Sequence, residues 1–271
     1  MVLSPKIDSF CIVGGHSLDY VYYMDNTAKM REIQKETALD PQSLARIIGL
    51  SFLGTLVIGI FSAFIVGEGI DINLSADIVA TAQNMLEAEA DLRAKAYIAA
   101  VTFCLGVVFN AGLFLLLRQA GPLLATWSLV VSMAASLLSL LGAVFALNAA
   151  HIAGNAAYTE MATESQRLLL TGLQATSDYT SFHLGLVLSS IAMAGFFTLF
   201  WKSNLIPKLI SGWGIFASLF VASMIVSRDF VPMLGHFYVT ASFMASNLIA
   251  LLATALYLSI KGVRSVSSQQ S

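Results

Sequence analysis

Residues 123–148, LLATWSLVVSMAASLLSLLGAVFALN, contain no charged side chain. They lie within an uncharged run that extends from residue 119 to residue 159. A helix of about 20 apolar residues crosses a bilayer core about 30 Å thick. Residues 123–148 therefore predict one crossing, whereas the remainder of the run, with His151, Gly154 and Asn155, predicts a loop.

Five further uncharged runs are long enough for one crossing each, and they are 47–67, 96–117, 179–201, 209–227 and 230–260. The predicted crossing helices are 45–66, 95–118, 123–148, 180–201, 209–227 and 238–260. The chain is 57% hydrophobic and 11% charged, with a mean hydropathy of +0.79. Soluble domains carry about twice that charged fraction. The sequence predicts an all-α polytopic membrane protein, a bundle of six transmembrane helices, and excludes a water-soluble globule.

Two outer loops are predicted to hold amphipathic helices. In residues 75–92, Ser75 is placed to cap a helix with Ile78, Val79, Ala82, Met85 and Leu86 on one face. Residues 160–175 show a weaker version of the same pattern. We expect both helices to lie over the outer end of the bundle.

The distribution of basic residues predicts the orientation. Ten of them fall on one side of the predicted bundle: Lys6, Lys29, Arg31, Lys35, Arg46, Arg118, Lys202, Lys208, Lys261 and Arg264. Four fall on the other side: Arg93, Lys95, Arg167 and Arg228. By the positive-inside rule, both termini are expected in the cytoplasm and the bundle in the plasma (inner) membrane.

The predicted organisation is a cytoplasmic tail at 1–43, a membrane domain at 44–260 and a second cytoplasmic tail at 261–271. Asp8, His16 and Asp19 interrupt the first residues, so we expect no cleaved signal peptide. Met24 precedes a polar start, and residues 1–23 are interpreted as an extension from an upstream start codon.

The segment Phe200-Trp201-Lys202-Ser203-Asn204-Leu205-Ile206-Pro207-Lys208 is the most distinctive in the chain. With Ala45-Arg46-Ile47-Ile48-Gly49-Leu50, residues 76–86 (ADIVATAQNML) and Leu115-Leu116-Leu117-Arg118, it resembles an uncharacterised bacterial membrane family, the domain of unknown function 4386. The resemblance covers about residues 41–260. It implies six helices and no established activity. Gln119-Ala120-Gly121-Pro122 stands where members more often have a Pro-Val pair.

Lys202, Pro207 and Lys208 are candidate anchors between the fourth and fifth crossings. Proline is expected to stop the fourth helix and to keep Ile206 extended. The two lysines suit lipid headgroups, either as topology signals or as a specific headgroup site.

Three histidines, His151, His183 and His236, lie near the predicted outer ends of their helices, at the level of Asp178 and Arg228. Three imidazoles and a carboxylate form a ligand set that zinc favours, with room for an activated water. No close His-x-x-x-His spacing supports this site, and interfacial histidines bonded to water or headgroups are the alternative. A bis-histidine haem would need His183 to face His151 or His236 across the bundle. We expect no cofactor, with zinc as the alternative.

The predicted helices contain no ionisable residue near the membrane midplane, which argues against an ion-coupled transporter. Polar residues there are a serine stripe and a few others: Ser128, Ser132, Ser136, Ser139, Asn110, Ser242, Ser246 and Asn247. The stripe at helical spacing predicts close helix packing, and a polar cavity is the alternative.

The predicted function is non-enzymatic binding of a lipid, a small apolar molecule or a protein partner in the bilayer. The alternatives are an intramembrane metal-dependent hydrolase using the outer histidines, and a small-solute transporter. The net charge of −2 excludes a nucleic-acid partner, and no hydrolase or nucleotide-binding motif occurs. A homo-oligomer is a further option.

Overall fold

The computed structural model of the chain describes residues 40–71 and 77–264. Eight α-helices lie in these residues: α1 Pro41–Phe61, α2 Ile78–Glu87, α3 Glu89–Leu117, α4 Pro122–Gly154, α5 Ala156–Met161, α6 Glu164–Ser203, α7 Lys208–Phe230 and α8 Phe237–Ile260. A π-helical turn, Ser62–Val66, extends α1, and a 3₁₀ turn, Pro232–Gly235, precedes α8. The six long helices α1, α3, α4, α6, α7 and α8 are long and apolar enough to cross a membrane, which confirms the predicted all-α polytopic fold.

The six crossing helices form a closed ring. Each packs against the next crossing helix in the sequence, and α8 packs against α1 to close the ring. The most extensive contact is between α4 and α6. A ring of this kind encloses an interior that none of the helices fills alone, and the size of the inward side chains decides whether that interior is solid or hollow.

On one side of the ring the interior is solid. Phenylalanine and leucine side chains from four of the six crossing helices, with Ile206 of the link between α6 and α7, fill it and are almost completely buried: Phe52, Phe109, Leu113, Leu117, Phe196, Phe197, Phe200 and Leu258. The rings of Phe52 and Phe109 stack with their centroids 4.2 Å apart. We call this aromatic cluster the floor.

The floor lies on the side where the ring closes between the two ends of the described chain. Gln42 at the start of α1 donates from Nε2 to the Val263 carbonyl and accepts from the Val263 N–H at 3.0 Å. The backbone N–H of Arg264 donates to the Leu205 carbonyl at 3.0 Å. We call this the terminal side and the opposite side the far side.

On the far side, α6 continues beyond the length of a simple crossing. Its 40 residues correspond to about 60 Å at 1.5 Å per residue. The amphipathic helix α2 packs against α6 and α4 with Thr81, Ala82 and Met85 buried. Arg167 of α6 donates to the carbonyls of Ile152 and Ala153 at the end of α4, satisfying groups that a helix end leaves open.

Several predicted boundaries differ from those in the structure. Of the second outer helix, predicted at 160–175, residues 160–161 end α5, and residues 164–175 are the first part of α6, which joins the fourth crossing without a break. The expected loop after Asn148 is helical to Gly154 and again in α5. Ser75 lies outside the described residues, and Asp77 caps α2 by accepting from the N–H groups of Val79 and Ala80.

The link between α6 and α7 also differs from the prediction. Helix α6 ends at Ser203 because Asn204 adopts the left-handed conformation, with φ of 53°. Pro207 therefore begins α7 and does not stop α6. Ile206 is fully buried in the floor, so packing inside the protein holds the link.

The two Gln42 hydrogen bonds predict a measurable contribution to stability. We expect Gln42→Ala to lower the free energy of unfolding by about 1–3 kcal/mol, because Val263 loses both partners at a partly buried contact. Thermal unfolding in detergent measures this effect. The matched control is Gln83→Ala, on the exposed face of α2, where we expect no more than about 0.5 kcal/mol. Equal effects in the two variants would contradict the role of this clamp.

Candidate ligand-binding cavity

The far half of the ring encloses a cavity of about 590 Å³. All six crossing helices contribute to its wall. The apolar wall includes Ile98, Ala99, Phe103, Leu140, Leu186 and Phe243. Ligand pockets for small molecules range from about 300 to 1,000 Å³ and are mostly apolar with a few polar groups. The cavity has the size and the lining of such a pocket.

The cavity is elongated along the membrane normal. Its lining on α3 runs from Lys95 to Gly106, which is about 16 Å at 1.5 Å per residue. Phe52 and Phe109 follow directly beyond Thr55 and Gly106, so the floor closes the deep end. The charged residues Asp71, Lys95, Asp178 and Arg228 all lie at the other end.

A buried ion pair forms one part of this charged end. Lys95 of α3 donates from Nζ to Asp178 of α6 at 2.7 Å, and Asp71 lies 3.5 Å from the same nitrogen. Their side chains are only 16–19% exposed. Gly142 of α4 lies directly against the Asp178 carboxylate, where a Cβ would collide with it. Removing two charges from water is costly, and close pairing with a fitted neighbour recovers that cost.

Arg228 of α7 forms the second part of the charged end. Its Nη2 group donates to the Tyr179 hydroxyl at 2.9 Å and to Nε2 of His183. The Tyr179 and His183 rings pack together with centroids 4.3 Å apart. Gly235, in the turn before α8, lies beside the aliphatic part of the Arg228 side chain. The guanidinium is thus held in place by α6 and by the turn before α8.

The charged end lies at the border of the hydrocarbon core. Lys95 precedes Leu117 by about 33 Å along α3, and Arg228 follows Lys208 by about 30 Å along α7. Since the core is about 30 Å thick, α3, which ends next to Arg118 on the terminal side, and α7, which begins at Lys208 there, reach the far border at Lys95 and Arg228. Residues 96–117 of α3 and 209–227 of α7 contain no Asp, Glu, Lys, Arg or His side chain.

The predicted serine stripe serves two purposes. Ser132, Ser136 and Ser139 all donate to backbone carbonyls of α4 itself. Ser128 is fully buried against Gly195 of α6, which agrees with the packing interpretation. Ser136 and Ser139 also line the cavity, so the stripe continues from a packed contact into a hollow one.

The candidate metal ligands are distributed among different contacts. Asp178 pairs with Lys95, and His183 accepts from Arg228. His151 and His236 are exposed at the ends of α4 and of the 3₁₀ turn. Among residues 40–71 and 77–264, no group of three His, Cys, Asp or Glu side chains is placed to hold a metal ion. Only Asp178 and His183 of the four candidates face the cavity.

Of the candidate anchors, Lys202 and Lys208 are exposed on the terminal side, as a headgroup contact requires. The Lys208 ammonium lies 5.8 Å from the centre of the Trp201 ring. Tryptophan beside lysine is typical of a membrane interface. Pro207 between them sets the start of α7.

The sequence places Arg228 at the level of Asp178 and His183, but it did not identify Lys95 or Asp71 as parts of the site. Lys95 and Asp178 are 83 positions apart in the chain. The available signal was that the apolar segments of α3, α6 and α7 each have an ionisable residue at the same outer end. Intramembrane ionisable residues are functional candidates by default, and this criterion extends to residues at the border.

The fold and the cavity define a class: a polytopic, six-helix membrane protein with a closed helical ring and an internal cavity that has an apolar wall and one charged end. The family described as "Domain of unknown function (DUF4386)" matches residues 47–262, and the chain belongs to that family. No curated protein sequence matches the chain. No solved structure matches it either.

The buried ion pair predicts an asymmetry between two substitutions. Lys95→Met leaves two carboxylates without their shared cation, so we expect a loss of about 3–5 kcal/mol in the free energy of unfolding. Asp178→Asn leaves Asp71 as a partner of Lys95 and should cost clearly less. Thermal unfolding in detergent measures both effects.

The more exposed pair of Arg93 and Glu89, at 2.8 Å and with side chains 39% and 42% exposed, provides the control. Arg93→Met and Glu89→Gln should each change the free energy of unfolding by no more than about 1 kcal/mol. If Asp178→Asn lowered the free energy of unfolding as much as Lys95→Met does, Asp71 would not be a second ion-pair partner of Lys95.

Proposed function

We propose that this protein binds one amphipathic, lipid-like molecule inside its helical ring and is not an enzyme. The observation that carries this proposal is the cavity itself, which has charged and hydrogen-bonding groups at one end and an apolar wall down to a closed floor. A polar head beside Arg228 and an apolar chain against Phe103, Leu140 and Phe243 would match this division.

The depth of the cavity supports a chain-like ligand. From the far border it extends about 16 Å toward the midplane, which is close to half of a core about 30 Å thick. A molecule in this position has the same orientation and depth as a lipid of the far leaflet. Such a molecule can therefore move from the far leaflet into the cavity without reversing its orientation.

The alternatives find less support. A transporter needs access from both sides, and the buried aromatic side chains of the floor separate the cavity from the terminal side. A metal-dependent hydrolase needs converging ligands, and two of the three candidate histidines are exposed and do not line the cavity. Binding requires only the cavity and its polar end.

Two neighbouring alanines of α3 provide a matched test of the proposal. Ala99 lines the cavity, whereas Ala100 is exposed on the outside of the ring. We expect Ala99→Phe to fill the cavity and to reduce co-purifying lipid-like molecules about tenfold or more, with Ala100→Phe unchanged. Extraction followed by mass spectrometry, per mole of purified protein, measures the difference.

Thermal unfolding of both variants shows whether each is folded. Equal amounts of bound molecule in folded Ala99→Phe and Ala100→Phe would show that the molecules bind outside the ring. Absence of any stoichiometric molecule from the wild-type protein, also after incubation with total membrane lipid, would remove the proposal.

We propose that the terminal side faces the cytoplasm and that the membrane is the plasma (inner) membrane. Arg46, Arg118, Lys202, Lys208 and Lys261 on this side support the assignment. A single cysteine at Ser203 in a Cys104→Ala, Cys11→Ala background should resist a membrane-impermeant maleimide in intact cells. A cysteine at Thr163, on the far side, should react. The reverse pattern would invert the topology.

A further inference from the structure

We infer that the molecule bound in the cavity carries an anionic oxygen head, a carboxylate or a phosphate, which binds to Arg228. This inference rests on the proposed function, since it assigns the chemistry of the ligand in the same cavity. The two cations at the charged end, Lys95 and Arg228, differ in how their charge is compensated within the protein.

Lys95 has its charge compensated within the protein. Its ammonium lies 2.7 Å from Asp178 and 3.5 Å from Asp71, so two carboxylates compensate one positive charge. A lysine in this arrangement attracts a further anion only weakly, because two carboxylates already surround its ammonium group. It serves to join α3 to α6 and to make the burial of both carboxylates tolerable.

Arg228 is in the opposite state. Within the described part of the chain, no carboxylate lies within 4 Å of its guanidinium, and only Nη2 donates to protein acceptors, those of Tyr179 and His183. Both acceptors, a hydroxyl oxygen and an imidazole nitrogen, are neutral groups and do not compensate the positive charge. Asp229, the next residue, is exposed and forms no ion pair with Arg228 in these residues.

A guanidinium carries five N–H donors in a planar fork. With Nη2 occupied, Nη1 and Nε have no acceptor among the described residues, although Arg228 is partly buried and lines the cavity. Carboxylates and phosphates accept two parallel hydrogen bonds from such a fork. The contacts with Tyr179 and His183 fix the side chain in advance, which reduces the entropy that binding would otherwise lose.

The position of Arg228 agrees with this chemistry. It lies about 30 Å along α7 from Lys208, at the border where lipid headgroups meet the hydrocarbon core. An acid head at this level leaves an attached chain pointing along the apolar wall toward the floor. A fatty acid and a single-chain phospholipid acid have this shape in common.

The test compares oleic acid, oleyl alcohol and oleoyl lysophosphatidic acid as ligands of the purified protein, with micelles lacking protein as background. Above the pKa of the fatty acid in micelles, we expect the wild-type protein to bind oleate at least tenfold more tightly than oleyl alcohol. Native mass spectrometry of titrations measures the affinities. Whether oleate or the phosphate ligand binds more tightly identifies the head as carboxylate or phosphate.

In Arg228→Gln, oleate affinity should fall about ten- to hundredfold while that for oleyl alcohol changes less than about threefold. Arg93→Gln is the matched control, because Arg93 pairs with Glu89 and does not line the cavity. We expect no change in that variant. Equal loss of acid and alcohol in Arg228→Gln, or unchanged oleate affinity, would overturn the inference.

The wild-type comparison keeps the inference testable even if Arg228→Gln does not fold. Equal affinity of the wild-type protein for oleate and oleyl alcohol overturns the anionic head but leaves the cavity as a binding site. Failure of all three probes to bind, or binding that Ala99→Phe does not reduce, instead removes the proposed function.

Discussion

Closure of the helical ring between α1 and α8 is the contact on which the rest of the structure depends. Gly49 of α1 lies so close to the α8 backbone that a Cβ would come within 2.5 Å of the Ser259 nitrogen and 2.9 Å of the Ala255 carbonyl oxygen. In lipid there is no hydrophobic drive to bring helices together, so close packing of small residues supplies much of the association. A ring open at this contact would expose the interior to lipid chains.

Given a closed ring, side-chain size decides what the interior contains. On the terminal side, Phe196, Phe197 and Phe200 of α6 fill the centre completely. On the far side, the positions that face inward include Gly59, Ala63, Ala99, Gly106 and Ala143. Small residues leave volume that the fixed spacing of the helices cannot remove. The cavity therefore follows from one change in residue size along otherwise continuous helices. The packed half on the terminal side stabilises the ring, and the hollow half on the far side is the proposed binding site.

The number and type of the crossing helices were predictable from the sequence because bilayer thickness and backbone hydrogen bonding restrict each segment separately. The ends on the far side were not. Asp178 and Lys95 looked like helix boundaries, since a charge is costly in the core, but their mutual pairing allows α3 and α6 to continue through them. The site was predictable only in part. His183 and Asp178 were identified by type and level, whereas their actual partners, Arg228 and Lys95, depend on contacts between distant segments.

The two charge systems of the cavity follow from the same constraint and lead to opposite results. Lys95 is fully compensated, so it stabilises the ring and is closed to ligands. Arg228 is held by two acceptors, and its Nη1 and Nε donors have no acceptor within the described part of the protein. A half-buried cation in this state is stabilised further by any anion that reaches it. The cavity below Arg228 spans about one leaflet. An anion that carries an apolar chain therefore gains both the contact with Arg228 and the burial of its chain, whereas a free anion gains only the contact with Arg228.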